Sequence, residues 1–272
     1  MLYGRLAAGR TAAYRSQIQA WTSRCSEGLF GPRRCHRRNA GVHTRCASQL
    51  DSRTAEVHKD EAEVQSSVQA LSQMQPIMQQ GRKMTAVAQA AWAGFVRTGD
   101  VVVDATCGNG LDSLWLARAV GRSGKLYAFD IQADAVSTTR HLLHEHSSEH
   151  PDDAQDFEVV QACHSNLKEH VREPPQLVCF NLGFLPGGDR DIITRPGTSV
   201  AAVQAALDIV RPDGLVSVLA YTGHPGGREE YEAVRALGTR QDPARLTVFE
   251  QCIANRPTAP VLLLFLKRSP GQ

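Results

Sequence analysis

From residue 101 onward, short apolar runs alternate with amphipathic stretches, and that rhythm constrains the fold more than any other feature. VVVDA (101–105), KLYAFD (125–130), FEVVQ (157–161), QLVCFN (176–181) and LVSVLAY (215–221) are rich in β-branched and aromatic residues. They are too continuously apolar to leave one face in water, so they read as buried strands. Between them, 111–120, 132–146, 198–210 and 228–237 read as helices, with a short one near Leu167. Such alternation predicts an α/β fold, a mostly parallel sheet with helices on both faces. Two last runs, RLTVFEQCI (245–253) and PVLLLFLKR (260–268), are separated only by 254–259. That is too short for a crossover, so they predict an antiparallel hairpin at the sheet edge, for seven strands in all. Ahead of the first strand, Val87, Ala91, Trp92, Phe95 and Val96 share one helical face, with Thr85 as cap and Thr98-Gly99-Asp100 as stop. In the next helix, Leu114, Trp115 and Ala119 are expected to point inward.

The N-terminal part has a different character. Residues 1–50 hold nine Arg, no Lys and one acid, Glu27, in a background of Ser, Ala and Thr. An organellar transit peptide is built this way, and Arg residues that run along the whole segment favour it over a nucleic-acid-binding arm. Residues 51–83 are polar and read as a linker passing into a loose helix. Residues 84–268 then form one domain, for which 42% hydrophobic residues supply a sizeable core. No run approaches the ~18 apolar residues of a membrane span. The net charge of +2 hides an acidic body behind the basic segment. Cys107, Cys163, Cys179 and Cys252 are far apart with no C-x-x-C, which argues against a zinc site or disulfide scaffold and for a reducing compartment. HLLHEHSSEH (141–150) has helical His spacings, but no Cys or strand-end acid joins it, so no metal is expected.

Ligands of open α/β sheets sit outside the carboxyl ends of the strands. The first strand ends DATCGNG (104–110) at a helix start, where glycines admit a ligand close to the backbone. The second ends at Asp130, whose carboxylate can accept both hydroxyls of a ribose. The third glycine of a dinucleotide pattern is replaced by Ser113, and no second domain exists for a nicotinamide substrate. S-adenosylmethionine fits better: ribose at Asp130, amino-acid end at Asp104 and the Gly108–Gly110 loop, with Asn109 and Asp112 beside it. Neighbouring Ile131 and Gln132 complete the second strand end. The third strand end offers His164 and Ser165 for the adenine. The fourth ends NLGFLPGGD (181–189) and the fifth YTGHPGGREE (221–230). Two Pro-Gly-Gly loops on neighbouring strands would close over a transfer site. Asn181, a neutral acceptor, would hold a target amine, and His224 would take its proton. Phe184, Pro186, Gly187, Gly188 and Arg190 in the first loop, and Gly226, Gly227 and Arg228 in the second, would wall in a flat base.

VVVDATCGNGLDSLWLA, YAFDIQ, HSNL, NLGFLPGGDRDIITRPGTS, GHPGGREE and PVLLLFLKR together resemble one family over 84–268. It is the bacterial-type family labelled putative rRNA methylases and linked to tRNA 5-aminomethyl-2-thiouridine methylation. The resemblance implies the class I methyltransferase Rossmann-like fold. It also implies S-adenosylmethionine held by Asn109, Asp112, Asp130, Gln132 and His164, and methyl transfer to the aminomethyl group of a wobble uridine. The partner would be tRNA at its anticodon region, with no membrane or metal, and a homodimer is compatible. A bacterial-type origin favours chloroplast over mitochondrion. An rRNA or small-amine methyltransferase, or a non-catalytic nucleotide-binding module, would share the cofactor half of these features.

Overall fold

The computed structural model describes residues 83–151, 154–185, 187 and 193–269. The expected transit segment (1–50) and the linker up to residue 82 lie outside the described residues, as do Pro186, Gly188 and Arg190. Helix α1 spans Met84–Ala93 and is followed by β1 (Val101–Asp104), α2 (Leu111–Val120), β2 (Lys125–Asp130), α3 (Ala133–Glu149) and β3 (Asp156–Gln161). A 3-10 turn (His164–Asn166) leads into α4 (Leu167–His170) and β4 (Leu177–Leu182). Then come α5 (Pro196–Ile209), β5 (Leu215–Ala220), α6 (Gly227–Thr239), β6 (Leu246–Gln251) and β7 (Val261–Lys267).

The seven strands run in the order β3-β2-β1-β4-β5-β7-β6. β1 to β5 are parallel, and β7 is antiparallel to both β5 and β6. The expected hairpin therefore exists, with its second strand inserted so that β6 is the edge. Strand residues alternate between two cores, as a pleat of period two requires. Val102, Leu126, Ala128, Leu177 and Cys179 face α1, α2 and α3, packing on Trp92, Leu116 and Leu143. Val103, Tyr127, Phe129, Val178 and Phe180 face the other way, onto Leu167, Ala202, Val203, Ala206 and Val234 of α4, α5 and α6. The strand order reverses between β1 and β4, and the crevice at this switch point is where the functional strand ends meet.

Three local expectations shift. Lys83, not Thr85, caps α1, without a side-chain bond, and the helix ends at Ala93; its buried face is Met84, Ala88 and Trp92, a rotation from the expected set. Helix α2 buries Ser113, Leu116, Ala117 and Val120 against the sheet, while Leu114, Trp115 and Ala119 pack at its flank, Trp115 edge-on to Trp92. Helix α3 continues to Glu149, three residues past the expected end, because His150 N–H still closes on the His146 carbonyl. Within it, buried His146 receives Arg118 Nε at 3.3 Å. Among the described residues no group of three His, Cys, Asp or Glu is placed to hold a metal.

Candidate functional site

A cavity of about 570 Å³ lies at the carboxyl ends of β1, β2, β4 and β5, within the size of ordinary small-molecule sites. One half is the turn after β1. Gly108 adopts φ 50°, and its N–H donates to Asp130 Oδ2 at 3.0 Å. Thr139 Oγ1 donates back to the Gly108 carbonyl at 3.0 Å. Gln132 N–H donates to Asp130 Oδ1 at 2.9 Å, so each carboxylate oxygen is oriented yet keeps lone pairs for a ligand. A Cβ on Gly108 would stand 3.1 Å from Leu185 Cδ1, which narrows the cavity. Asn109, Asp112, Ile131, Gln132 and His164 line the same half. His164 is buried, its Nε2 has no partner, and burial draws its pKa down to about 4, so the ring is neutral at pH 7.

Asp104, Gly110 and Ser165 do not line the cavity. Asp104 lies beneath it, 2% exposed, accepting Ser113 Oγ at 2.6 Å and Thr106 N–H at 3.2 Å. Burial, with the Asp112 charge adding to it, pushes this carboxyl up to about 7. The residue that breaks the dinucleotide pattern, Ser113, thus secures the turn through its hydroxyl. Gly110, at φ 80°, lets α2 approach α3: a Cβ there would meet Thr139 Cα at 3.0 Å. Ser165 donates to Cys163 Sγ at 3.1 Å. The residues present fit S-adenosylmethionine. A pinned carboxylate, a side-chain-free turn, an unpartnered imidazole nitrogen and two acids facing the cavity suit a ribose, an amino-acid moiety, an adenine and a cationic sulfur.

The other half centres on β4. Asn181 N–H donates to Thr106 Oγ1 at 2.7 Å, stitching β4 to the turn after β1. Asn181 Nδ2 donates to Asp112 Oδ2 at 3.3 Å, while Gln89 Nε2 donates to Asp112 Oδ1 at 2.7 Å. A carboxylate only accepts, so it fixes which end of each amide it meets. Asn181 Oδ1 is left buried on the cavity wall without a partner. Burial raises the Asp112 pKa, and the two amide donors oppose that shift. A buried acceptor with no donor, facing a cavity, is a place for a ligand N–H or O–H.

The segments following β4 and β5 form the remaining wall. Thr194 N–H donates to the Gly183 carbonyl at 3.1 Å and Phe184 bridges Ile193, so the loop between them is pinned at its base. Glu230, in the first turn of α6, reaches across: Thr194 Oγ1 donates to its Oε2 at 2.8 Å and Ser199 Oγ to its Oε1 at 2.5 Å. A buried carboxylate thus joins α6 to Thr194 and to the first turn of α5. Phe184 and Tyr221 line the cavity and are part-exposed; Gly187, Gly226, Gly227 and Arg228 do not line it. Arg228 pairs with Glu232 at 3.0 Å. Gly227 is packed so closely that a Cβ would lie 2.1 Å from the Tyr221 carbonyl and 2.8 Å from His224 Nε2. His224 stands behind Gly183 rather than on the wall, its Nε2 3.7 Å from where a Gly183 Cβ would be. Its Nδ1 lies 3.0 Å from the Pro225 carbonyl, which can only accept, so Nδ1 carries the hydrogen and buried Nε2 holds a free lone pair.

Sequence reasoning missed Thr85, Gln89, Thr194, Thr198 and Tyr221 on the cavity wall, and Glu230 behind it. Tyr221 directly follows a strand end and was open to the same logic as Asn181. Gln89 was not: it lies on a helix with no motif, one that packs against β5 and β7 and reaches the site from there.

The sheet order, the glycine turn after β1 and the acid ending β2 together define a class I methyltransferase. The chain belongs to the family described as Putative rRNA methylase, matched over residues 126–267. It is 41% identical over 194 residues to a tRNA (mnm(5)s(2)U34)-methyltransferase, chloroplastic, of Arabidopsis thaliana, covering 69% of this chain and 70% of that one. Among solved structures, a putative rRNA-methylase from Clostridium thermocellum is 33% identical with a TM-score of 0.63, covering 67% of this chain and 96% of that one. A putative methyltransferase from Streptococcus mutans, in complex with SAH, is 26% identical with a TM-score of 0.60, covering 68% and 98%.

Proposed function

We propose that this protein is an S-adenosylmethionine-dependent N-methyltransferase that methylates the aminomethyl group of a wobble uridine, of the 5-aminomethyl-2-thiouridine type, in organellar tRNA. The observation that carries the reading is the unpartnered Asn181 Oδ1, turned to the cavity because Asp112 holds the other end of the amide. An acceptor there takes an N–H of a neutral amine and holds the nitrogen in one orientation, and such alignment removes several kcal/mol of barrier. Bound S-adenosylmethionine supplies an electrophilic methyl group on a cationic sulfur. Asp130, the Gly108 turn, Asn109, Gln132 and His164 hold it, and Asp112 and Asp130 favour its positive charge. The amine gains a carbon and must lose a proton. His224 Nε2 takes that proton in this reading, reached past Gly183, which has no side chain to block it. Phe184 and Tyr221 offer aromatic faces to the base. The 41% identical chloroplastic relative supports the substrate assignment.

The finer reading is that recognition is centred on the anticodon region and that residues 1–50 direct the protein to the chloroplast. A reporter fused to residues 1–50 should enter chloroplasts; a cytosolic reporter removes the transit reading. Mass spectrometry of organellar tRNA nucleosides from a knockout tests the function. Loss of the methylaminomethyl nucleoside with build-up of its aminomethyl precursor is expected. An unchanged nucleoside profile would overturn the assignment.

A further inference from the structure

Arg195 is the only Lys or Arg among the described residues lining the cavity, whose other charged wall groups are Asp112 and Asp130. Other arginines are occupied: Arg140 by the Val159 carbonyl, Arg211 by Asp100, Arg228 by Glu232 and Arg235 by Glu250. The Arg195 guanidinium has no side-chain or backbone partner among the described residues. Its backbone, by contrast, is held at the carbonyl and through the residue before it. Thr194 is tied to the Gly183 carbonyl, and the Arg195 carbonyl accepts Ser199 N–H at 2.9 Å and Thr198 Oγ1 at 3.1 Å. The hydroxyls of Thr194 and Ser199 both end on Glu230, a carboxylate 1% exposed with no cation bonded to it among the described residues. Burying a carboxylate costs desolvation that two hydroxyl donors only partly offset, so an apolar side chain would hold α5 and α6 together more cheaply. What the carboxylate adds is a fixed position for the segment that carries Arg195.

The charged groups of the wall therefore differ in sign with the element that carries them. Asp112 and Asp130 come from the strand ends and turns after β1 and β2, and Arg195, whose guanidinium no described residue neutralises, comes from the segment before α5 with Thr194 and Thr198. A guanidinium repels a cationic group and matches a phosphate in charge and fork geometry. A uridine base carries no charge of its own; the anionic part of its nucleotide is the phosphodiester.

We propose that Arg195 is the phosphate-binding residue of this site, pairing with a phosphodiester oxygen next to the nucleotide whose base enters the cavity, and that Glu230 positions it through Thr194 and Ser199. This rests on the reading that the substrate is RNA. The test is binding of an anticodon stem-loop, read by fluorescence anisotropy over a range of salt, with S-adenosylmethionine affinity measured by calorimetry as the check that each variant is folded. Arg195→Gln should weaken RNA binding about tenfold and reduce the slope of log affinity against log salt by about 0.7–0.9, one phosphate contact. Arg195→Lys should keep the slope and recover part of the affinity. Glu230→Gln should weaken binding severalfold with the slope unchanged, because the cation remains but is less well held. A stem-loop with an uncharged methylphosphonate at the contacted phosphate should bind the parent more weakly and Arg195→Gln no more weakly than the unmodified RNA. Parent-like affinity and slope in Arg195→Gln, equal methylphosphonate losses in both proteins at every phosphate flanking the target, or no stem-loop binding by the parent would each overturn the proposal. Binding is read without turnover. Absence of a methylated aminomethyl product would therefore count against the proposed reaction and leave this result standing.

Discussion

Asn181 Nδ2 donates to Asp112 Oδ2 at 3.3 Å, and that contact decides which end of the amide faces the cavity. Without it the amide could present either an acceptor or a donor. With it, only Oδ1 is offered. Asn181→Ala should therefore leave S-adenosylmethionine affinity nearly intact while lowering kcat about 10²-fold, the loss of orientation. Asn181→Asp is the sharper probe. It places a second carboxylate against Asp112 and favours the protonated amine, which has no lone pair. Turnover at neutral pH should collapse and recover in part as pH rises. Parent-like kcat in both variants, measured on aminomethyl-uridine tRNA, would remove Asn181 from the transfer step.

Gln89 acts one bond further back, donating to Asp112 Oδ1 at 2.7 Å. This bond holds the Asp112 pKa below where burial alone would set it. Gln89→Leu keeps the packing volume and removes the donor. The Asp112 pKa should rise, so the acid limb of the pH–kcat profile should move to higher pH, with about a threefold to tenfold loss at the plateau. A profile that falls uniformly without shifting would mean that Gln89 serves only the packing of α1.

Much of this site was legible because it sits where parallel strands end. Asp130 and Asn181 are last or next to last in apolar runs, and a sheet of this kind opens its crevice there. The edge hairpin was legible from loop length alone. What could not be read was which side chains turn inward. Asp104 ends β1 just as Asp130 ends β2, yet Ser113 and the Thr106 N–H bind it below the floor. Nothing in the sequence singles out Glu230, in the first turn of α6. It is buried because Thr194 and Ser199, thirty residues earlier, present hydroxyls to it, and no local pattern marks such a pairing. His224 sits in a loop that faces the site, but tight packing of Gly227 draws it behind Gly183.

Asp130→Ala removes the carboxylate that Gly108 N–H and Gln132 N–H hold in place. S-adenosylmethionine binding should weaken by roughly 1.5–3 kcal/mol, the loss of charge-assisted hydrogen bonds to the ribose. Gly108→Val should do worse, since its Cβ would already lie 3.1 Å from Leu185 Cδ1 and the backbone there is at φ 50°. Calorimetry showing parent-like affinity in both would place the cofactor elsewhere.

Asp104 supplies a pH test of the buried floor. Its folded pKa is raised to about 7 from 3.8, with burial as the main cause. A raised folded pKa means that the folded state holds a proton the unfolded chain has lost. The group's contribution is fully present below pH 3.8 and is lost as pH rises towards 7. His164, drawn down to about 4, works the other way, losing stability as pH falls below 6.5, but it does so in parent and variant alike. Asp104→Asn keeps Oδ1 as the acceptor for Thr106 N–H, turns the other contact round so that the amide Nδ2 donates to the Ser113 hydroxyl, and removes the titration. The difference in unfolding free energy, variant minus parent, should therefore grow by about 2 kcal/mol between pH 5 and pH 7 and then level off. Urea unfolding of both proteins at pH 5, 6, 7 and 8 measures it. A difference that stays flat across that range would mean that Asp104 is ionised in the folded protein throughout.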